Sequence, residues 1–219
     1  MKPDFFKETF TRLPDEKQKT IIEAAVQEFS EYGFSSANIN RIAQKSQISV
    51  GSIYKYFDSK EDLFLKIVHY GVETLKTVLN DIMQSEKDFE IRIEKIINAI
   101  QVYSRSNAPL TKLYNEMATE SHSNLVWKIV SDMESATAGM YTQFIKSAQE
   151  EGKIREDANA GLFAFFLDNL FILLQFSYAC EYYKDRLKIY AGPEVFDNDG
   201  QVSEQLIKFI KGAFLLPRQ

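Results

Sequence analysis

Among 219 residues this chain has one cysteine, two histidines, five prolines and nine glycines. A lone thiol excludes an internal disulfide, and no N-terminal stretch has the basic, apolar and small-residue order of a signal peptide; a reducing cytoplasm is the expected location. Cys180 lies in an apolar stretch and reads as a small buried hydrophobe, with a redox-sensing thiol as the alternative. So few glycines and prolines leave few breaks, which favours long helices over a many-stranded sheet. With only His69 and His122, no glycine-rich phosphate loop and no nucleophile elbow, the sequence predicts no enzyme, no cofactor and no metal. Glu116, Glu120 and His122 come nearest to a ligand set, but they lack the one-turn pairing of histidines seen in zinc helices.

What is present is ordinary for a folded chain: 45% hydrophobic and 26% charged residues. The net charge of −5 speaks at first against a nucleic-acid partner. Its distribution reverses that. Between Ser35 and Lys60 stand Arg41, Lys45, Lys55 and Lys60 against the single acid Asp58, a local net of +3.

Met1 to Leu13, with Phe5, Phe6 and Phe10, reads as a short helical arm. Pro14 followed by Asp15 and Glu16 starts a helix, because proline fits a first turn and acids suit the positive end of the helix dipole. Ile22, Ala25, Val26 and Phe29 then recur at helical spacing as far as Gly33. Ile39, Ile42 and Ala43 form a short second helix, with Ser36 or Asn38 to cap it. A third starts at Ser49 with Ile53 and Phe57 inward. Ser59 with Asp62 resembles the first half of a capping box and opens a fourth. Further helices are expected at about 88–105, 109–120, 123–151, 157–189 and 202–215. The cluster from Gly192 to Gly200 is expected to be the longest and most mobile loop.

The informative stretch is Ser36 to Glu61. Ile39, Ile42, Ala43, Ile48, Ile53 and Phe57 make a shared core for two short crossing helices. Ser49, Val50, Gly51, Ser52, Tyr54 and Lys55 are left facing out. That face is short, free of acids and rich in small hydroxyl residues, which suits a major groove. Small residues let the backbone approach base edges, Ser and Lys reach bases or phosphates, and Tyr54 offers its hydroxyl to a phosphate. Lys60 is placed for a phosphate at the next helix N-terminus. An unrelated helical hairpin with a solvated polar face is the bland alternative.

Gly33-Phe34, Ile42-Ala43, Ser49-Val50-Gly51-Ser52-Ile53-Tyr54, Tyr56-Phe57 and Ser59-Lys60-Glu61-Asp62-Leu63 together resemble the TetR-type transcriptional regulators, over about the first 65 residues. The resemblance implies an all-α chain. Residues 1–60 would hold the arm and a three-helix DNA-binding domain, and residues 61–219 a larger helical domain that dimerises and binds a small effector. It departs from the family pattern at Gln47, where a glycine is usual, so Gln47 is expected to adopt a left-handed conformation at a cost of about 1 kcal/mol. Ala37 replaces a common threonine, which passes the local phosphate contact to Ser36 or Asn38. The DNA-facing candidates are Ser36, Asn38, Asn40, Ser49, Val50, Gly51, Ser52, Tyr54, Lys55 and Lys60.

In the larger domain, residues 161–180 are long and apolar enough to span a bilayer. Asp168 beside Asn169 makes insertion expensive, and a helix buried on two sides is the preferred reading, with no membrane. Candidate effector-pocket residues are Tyr103, Tyr114, Met117, Glu120, Trp127, Tyr141, Phe144, Phe165 and Asp168, although aromatics at helical spacing are more often plain core. Candidate dimer residues are Phe171, Leu174, Tyr178, Leu206, Phe209, Ile210 and Ala213, with intramolecular packing as the alternative. The resulting expectation is a homodimer on a palindromic operator, most simply a repressor released by a small, largely apolar effector. The competing class is a helical ligand-binding or protein-interaction module that does not touch DNA.

Overall fold

A computed structural model describes residues 5–119 and 124–215. Among them the regular structure is helical, apart from an isolated antiparallel bridge between Ile154 and Leu215. The elements are α1 (Glu8–Thr11), α2 (Asp15–Ser36), α3 (Ile39–Lys45), α4 (Val50–Tyr56), α5 (Lys60–Ser85), α6 (Phe89–Ser106), α7 (Ala108–Thr119) and α8 (Asn124–Glu150). After them come α9 (Ala160–Ala179), α10 (Glu181–Ala191), a 3-10 turn (Pro193–Asp197) and α11 (Asp199–Phe214). Contacts group the chain into two compact units, Met1–Thr74 with Lys112–Ile129, and Leu75–Thr111 with Val130–Gln219.

The first unit is built on Ile21, Ala25, Phe29, Ile42, Ile53, Phe57, Leu63 and Phe64, all fully or almost fully buried. Phe64 meets Phe29 edge-on and Phe34 at a tilt, with ring centroids 5.1 and 5.0 Å apart. The expected core of the crossing helices is buried as read, with Ile48 only half covered. Caps follow the local sequence. Asn38 accepts from the Asn40 amide at 2.8 Å, and Ser49 from the Ser52 amide at 3.0 Å. Ser59 and Asp62 close their capping pair, the Asp62 amide donating to the Ser59 hydroxyl and that hydroxyl donating to the Asp62 carboxylate. Gly33 sits at φ +67 and kinks α2, and a Cβ there would meet Glu116 Oε1 at 2.8 Å. Gln47 is the one non-glycine residue at positive φ among the described residues, at +56. The left-handed turn thus forms despite its side chain.

The second unit packs Phe89, Ile93, Ile96 and Ile97 of α6 against Tyr141, Phe144 and Ile145 of α8, Leu167 and Phe171 of α9, and Ile210 and Phe214 of α11. Two expectations change here. The helix expected over 157–189 is two, because Cys180 is extended (φ −103, ψ 128) and breaks the ladder between α9 and α10. No proline or glycine marks that break, so tertiary packing decides it: Phe176 turns onto Tyr183 at a ring distance of 5.3 Å. The Gly192–Gly200 cluster is ordered rather than an open loop. Arg105 pairs with Asp199 and donates to the Phe196 carbonyl, Tyr178 donates to Asp199 at 2.8 Å, and Gln101 reaches both Tyr178 and the Asp199 carbonyl.

Helix α9 is long and apolar enough to cross a membrane by composition, yet Ala164, Leu167, Phe171, Leu174 and Tyr178 lie in the core. Within the chain it is buried on one face. Leu162, Phe165, Phe166 and Leu173 stand exposed on the other.

Candidate nucleic-acid interface and effector region

Helix α4 presents its outer face as the sequence predicts. Ser49, Gly51, Tyr54 and Lys55 are exposed, and Val50 and Ser52 are half-exposed. Ile53 and Tyr56 anchor the opposite side. Over the rest of the candidate face, Ser36 and Asn40 are exposed, while Asn38 is half-buried by its capping role. The Ser49 and Ser52 hydroxyls lie 2.8 Å apart and bond each other, so a base or phosphate must share or displace that bond.

The arm does work that its sequence did not announce. The last carbonyls of a seven-residue helix have no intrahelical donor. In α4 they receive donors from the arm: Lys7 Nζ to Tyr54 O at 3.0 Å, the Thr9 hydroxyl to Lys55 O at 2.7 Å, and the Lys7 amide to Tyr56 O at 2.8 Å. Lys7 also pairs with Asp58 at 2.6 Å. Phe10, 1% exposed, wedges against Phe57 and Tyr56 with centroids at 4.9 and 6.0 Å. The signal open to sequence reading was Phe10, a large apolar residue in a segment too short to bury it alone.

The electrostatics are less generous than the local +3 suggests. Glu28 of α2 is wholly buried and accepts from Arg41 Nε at 2.6 Å and from the Asn38 amide at 2.9 Å, with Lys45 Nζ 3.7 Å away. Burial pushes the Glu28 carboxyl up, but the bonds from Arg41 and Asn38 and the two cationic charges outweigh it and hold the group below the usual carboxylate range. Arg41 also lies over the Tyr32 ring at 4.1 Å and donates to Ser36 O. Lys60 Nζ donates to Ser35 O at 3.1 Å and Ala37 O at 3.3 Å, above the Phe34 ring. Two carbonyls take two of its three protons and leave one to donate. The surface positive charge therefore centres on Lys55, with Lys45 and Lys60 half committed inward.

The effector candidates are divided between the two units. Tyr114 and Met117 belong to the first unit, and Tyr103, Tyr141, Phe144, Phe165 and Asp168 to the second. Glu120 lies outside the described residues, as does the side chain of Trp127. Phe144 is core, stacked on Phe89 at 4.6 Å. Phe165 is 59% exposed, because its position on α9 faces away from the packed side. Burial raises both Asp168 and Tyr141, the Glu134 charge adding to the rise of Asp168, which reaches about 6, and the Asp168 charge to that of Tyr141. Of the dimer candidates, Phe171, Leu174, Tyr178 and Ile210 are buried within the chain's own core and out of a partner's reach. Phe209 and Ala213 are exposed and Leu206 half-exposed. The exposed row on α9 was missed, since an apolar helix gives no periodic contrast between inward and outward positions.

Residues 21–67 match the family model for bacterial regulatory proteins, tetR family, spanning α2 from Ile21 to the first turns of α5. The HTH-type transcriptional regulator YhgD of Bacillus subtilis (strain 168) is 24% identical over 163 residues, 74% of this chain and 84% of that one. The fold resembles that of a transcriptional regulator from Saccharomonospora viridis in complex with choline, with TM-score 0.72, 17% identity, 93% of this chain and 100% of that one covered. It also resembles FadR from Bacillus subtilis in complex with stearoyl-CoA, with TM-score 0.68, 15% identity, and 86% and 97% covered.

Proposed function

Because the chain is a DNA-binding transcriptional regulator of the TetR family, we propose that it acts in the cytoplasm as a homodimeric repressor, released from a palindromic operator by a small-molecule effector. The observation that carries the reading is the acid-free outer face of α4, Ser49 to Lys55, braced from behind by the arm. Two such helices reach successive major grooves when about 34 to 36 Å apart, so dimer symmetry would dictate operator symmetry. The exposed faces of α9 and α11, with Leu162, Phe165, Phe166 and Phe209, supply the apolar surface for a symmetric pairing. An effector then acts by favouring a dimer spacing that no longer fits the two grooves, which requires different affinity for the two states. The residues proposed to meet DNA are Ser36, Asn38, Asn40, Ser49, Val50, Gly51, Ser52, Tyr54, Lys55 and Lys60. Two structurally similar regulators hold ligands of opposite charge, choline and stearoyl-CoA, so effector class must come from this chain's own residues.

The experiment is selection of bound duplexes from a random pool by mobility shift, followed by sequencing. An enriched palindrome is the expected result, and retention without any enriched palindrome counts against the operator reading. Lys60→Ala should weaken all sequences alike and lower the salt slope by about 1, whereas Lys55→Ala or Ser52→Ala should change sequence preference.

A further inference from the structure

A helix C-terminus is poor ground for a phosphate, since its last carbonyls have no intrahelical donor and form the negative end of the helix dipole. Helix α2 ends at Ser36, beside Asn38 and Asn40 and so within the candidate DNA face. Its open end is covered by cations. Lys60 Nζ donates to Ser35 O at 3.1 Å and Ala37 O at 3.3 Å, and Arg41 Nη2 donates to the carbonyl between them, Ser36 O, at 3.3 Å. Arg41 is clamped from two further directions. Its Nε donates to Glu28 Oε1 at 2.6 Å, its Nη2 lies 2.5 Å from the same oxygen, and the guanidinium stands over the Tyr32 ring at 4.1 Å. These bonds engage Nε and Nη2, and none of them draws on the two N–H groups of Nη1. Glu28 has no exposed surface, whereas the Arg41 side chain is 41% exposed. A guanidinium held in this way meets a phosphate without first losing side-chain freedom, and its planar fork matches phosphate oxygens. In a helix-turn-helix the first of the two helices, here α3, crosses the DNA backbone.

We propose that Arg41 contacts a backbone phosphate of the bound duplex and that the buried Glu28 is its positioning residue. Nη1 of Arg41 would donate to the strand that passes the start of α3, on the same junction that Lys60 covers. Lys45 Nζ, 3.7 Å from Glu28 Oε2, supplies a second cation to the carboxylate, so Glu28 remains balanced when a phosphate draws on Arg41. The exposed Glu31 opposes an anion here, but its charge is screened by solvent and salt while the clamp holds Arg41 in place. The inference rests on the reading that α4 enters DNA.

Binding of a fluorescent random-sequence duplex to the full-length protein across a salt series tests it, because each phosphate contact adds about 0.9 to the salt slope whatever the sequence. The main variant is Glu28→Leu with Arg41→Met. It removes one charge of each sign and leaves the net charge unchanged, and replacing a buried ion pair by apolar groups is often neutral for folding. The pair variant should keep the helical signal and the unfolding temperature. It should lower the salt slope by about 1 and bind about three- to tenfold more weakly at about 0.15 M salt. Should it unfold, Glu28→Gln with Arg41→Gln carries the same expectation. Glu28→Gln alone keeps Arg41 and raises the net charge by one, yet it should also bind more weakly, because the clamp is loosened. A folded pair variant with the wild-type slope overturns the phosphate contact, and equal or tighter binding by Glu28→Gln overturns the positioning role. If the wild type binds no duplex, the DNA reading fails as well; if it binds and only the variants depart from expectation, this inference fails alone.

Discussion

In the first unit, most polar groups around α4 are matched: the arm supplies donors to the last carbonyls of the helix, Ser49 caps its start, and Arg41 with the Asn38 amide satisfies one buried oxygen of Glu28, the other having Lys45 3.7 Å away. Along the outer face of α9 in the second unit the reverse holds. Four large apolar side chains of α9 point outward, and Asp168 is half-buried on the same helix. A helix that must present seven residues in one register needs its own bonds closed before DNA arrives. A surface meant to receive a partner or ligand must keep some of its bonding capacity open, at a cost to the isolated chain.

The largest test of this contrast removes the wedge of the arm. Phe10→Ala should cost about 3–5 kcal/mol in chemical denaturation, as for other large-to-small core changes. The same variant should weaken operator and random DNA together, because α4 loses its brace rather than a base contact. Unchanged stability would make the arm an ornament. Next in size, Phe166→Glu on the open face of α9 should raise the dimer dissociation constant at least tenfold in sedimentation, yet leave the helical signal intact; a lost fold would mean that Phe166 is core.

A pH comparison separates the carboxyls of Glu28 and Asp168 by sign. The pKa of Glu28 is below its ordinary 4.5, so its contribution is complete above that value and fades as pH falls toward the lowered native value. The pKa of Asp168 is raised from 3.8 to about 6, so the native state binds the extra proton and stability falls as pH rises through that window. Wild type should thus be more stable than Glu28→Gln at neutral pH, with the gap closing only below 4.5. It should be less stable than Asp168→Asn above pH 6, with that gap closing between 6 and 4. Thermal unfolding of the three proteins across this range would reveal either sign in error. The smallest expected effect is at the turn: Gln47→Gly, which relieves a left-handed side-chain residue, should add about 0.5–1 kcal/mol in urea unfolding and leave DNA binding unchanged.

Much of the reading head was legible because its logic is local. Caps, the capping pair at Ser59, the inward spacing of Ile42, Ile53 and Phe57, and the conformation of Gln47 all depend on residues a few positions apart. What escaped depends on distant pairings. Glu28 looks like any helix acid until it is buried ten to seventeen residues from its partners Asn38, Arg41 and Lys45. Lys7 and Thr9 lie some 46 residues from the carbonyls they satisfy. The break at Cys180 carries no turn residue, and in α9 an almost uniformly apolar sequence hides which side is covered. Four of the expected dimer contacts, Phe171, Leu174, Tyr178 and Ile210, went to the core for that reason.

The Glu28 cluster also sets a rule for anyone re-engineering sequence preference. Arg41 and Lys45 look like natural positions to randomise, since both are basic and lie on the short helix before the turn. Each is tied to an acid with no access to water, so a library that varies them would mostly yield proteins that fail to fold, and the survivors would be enriched for replacements at position 28. Diversity is better confined to Val50 through Lys55, omitting Ile53, since Ser49 caps the helix and the remaining side chains leave the surface.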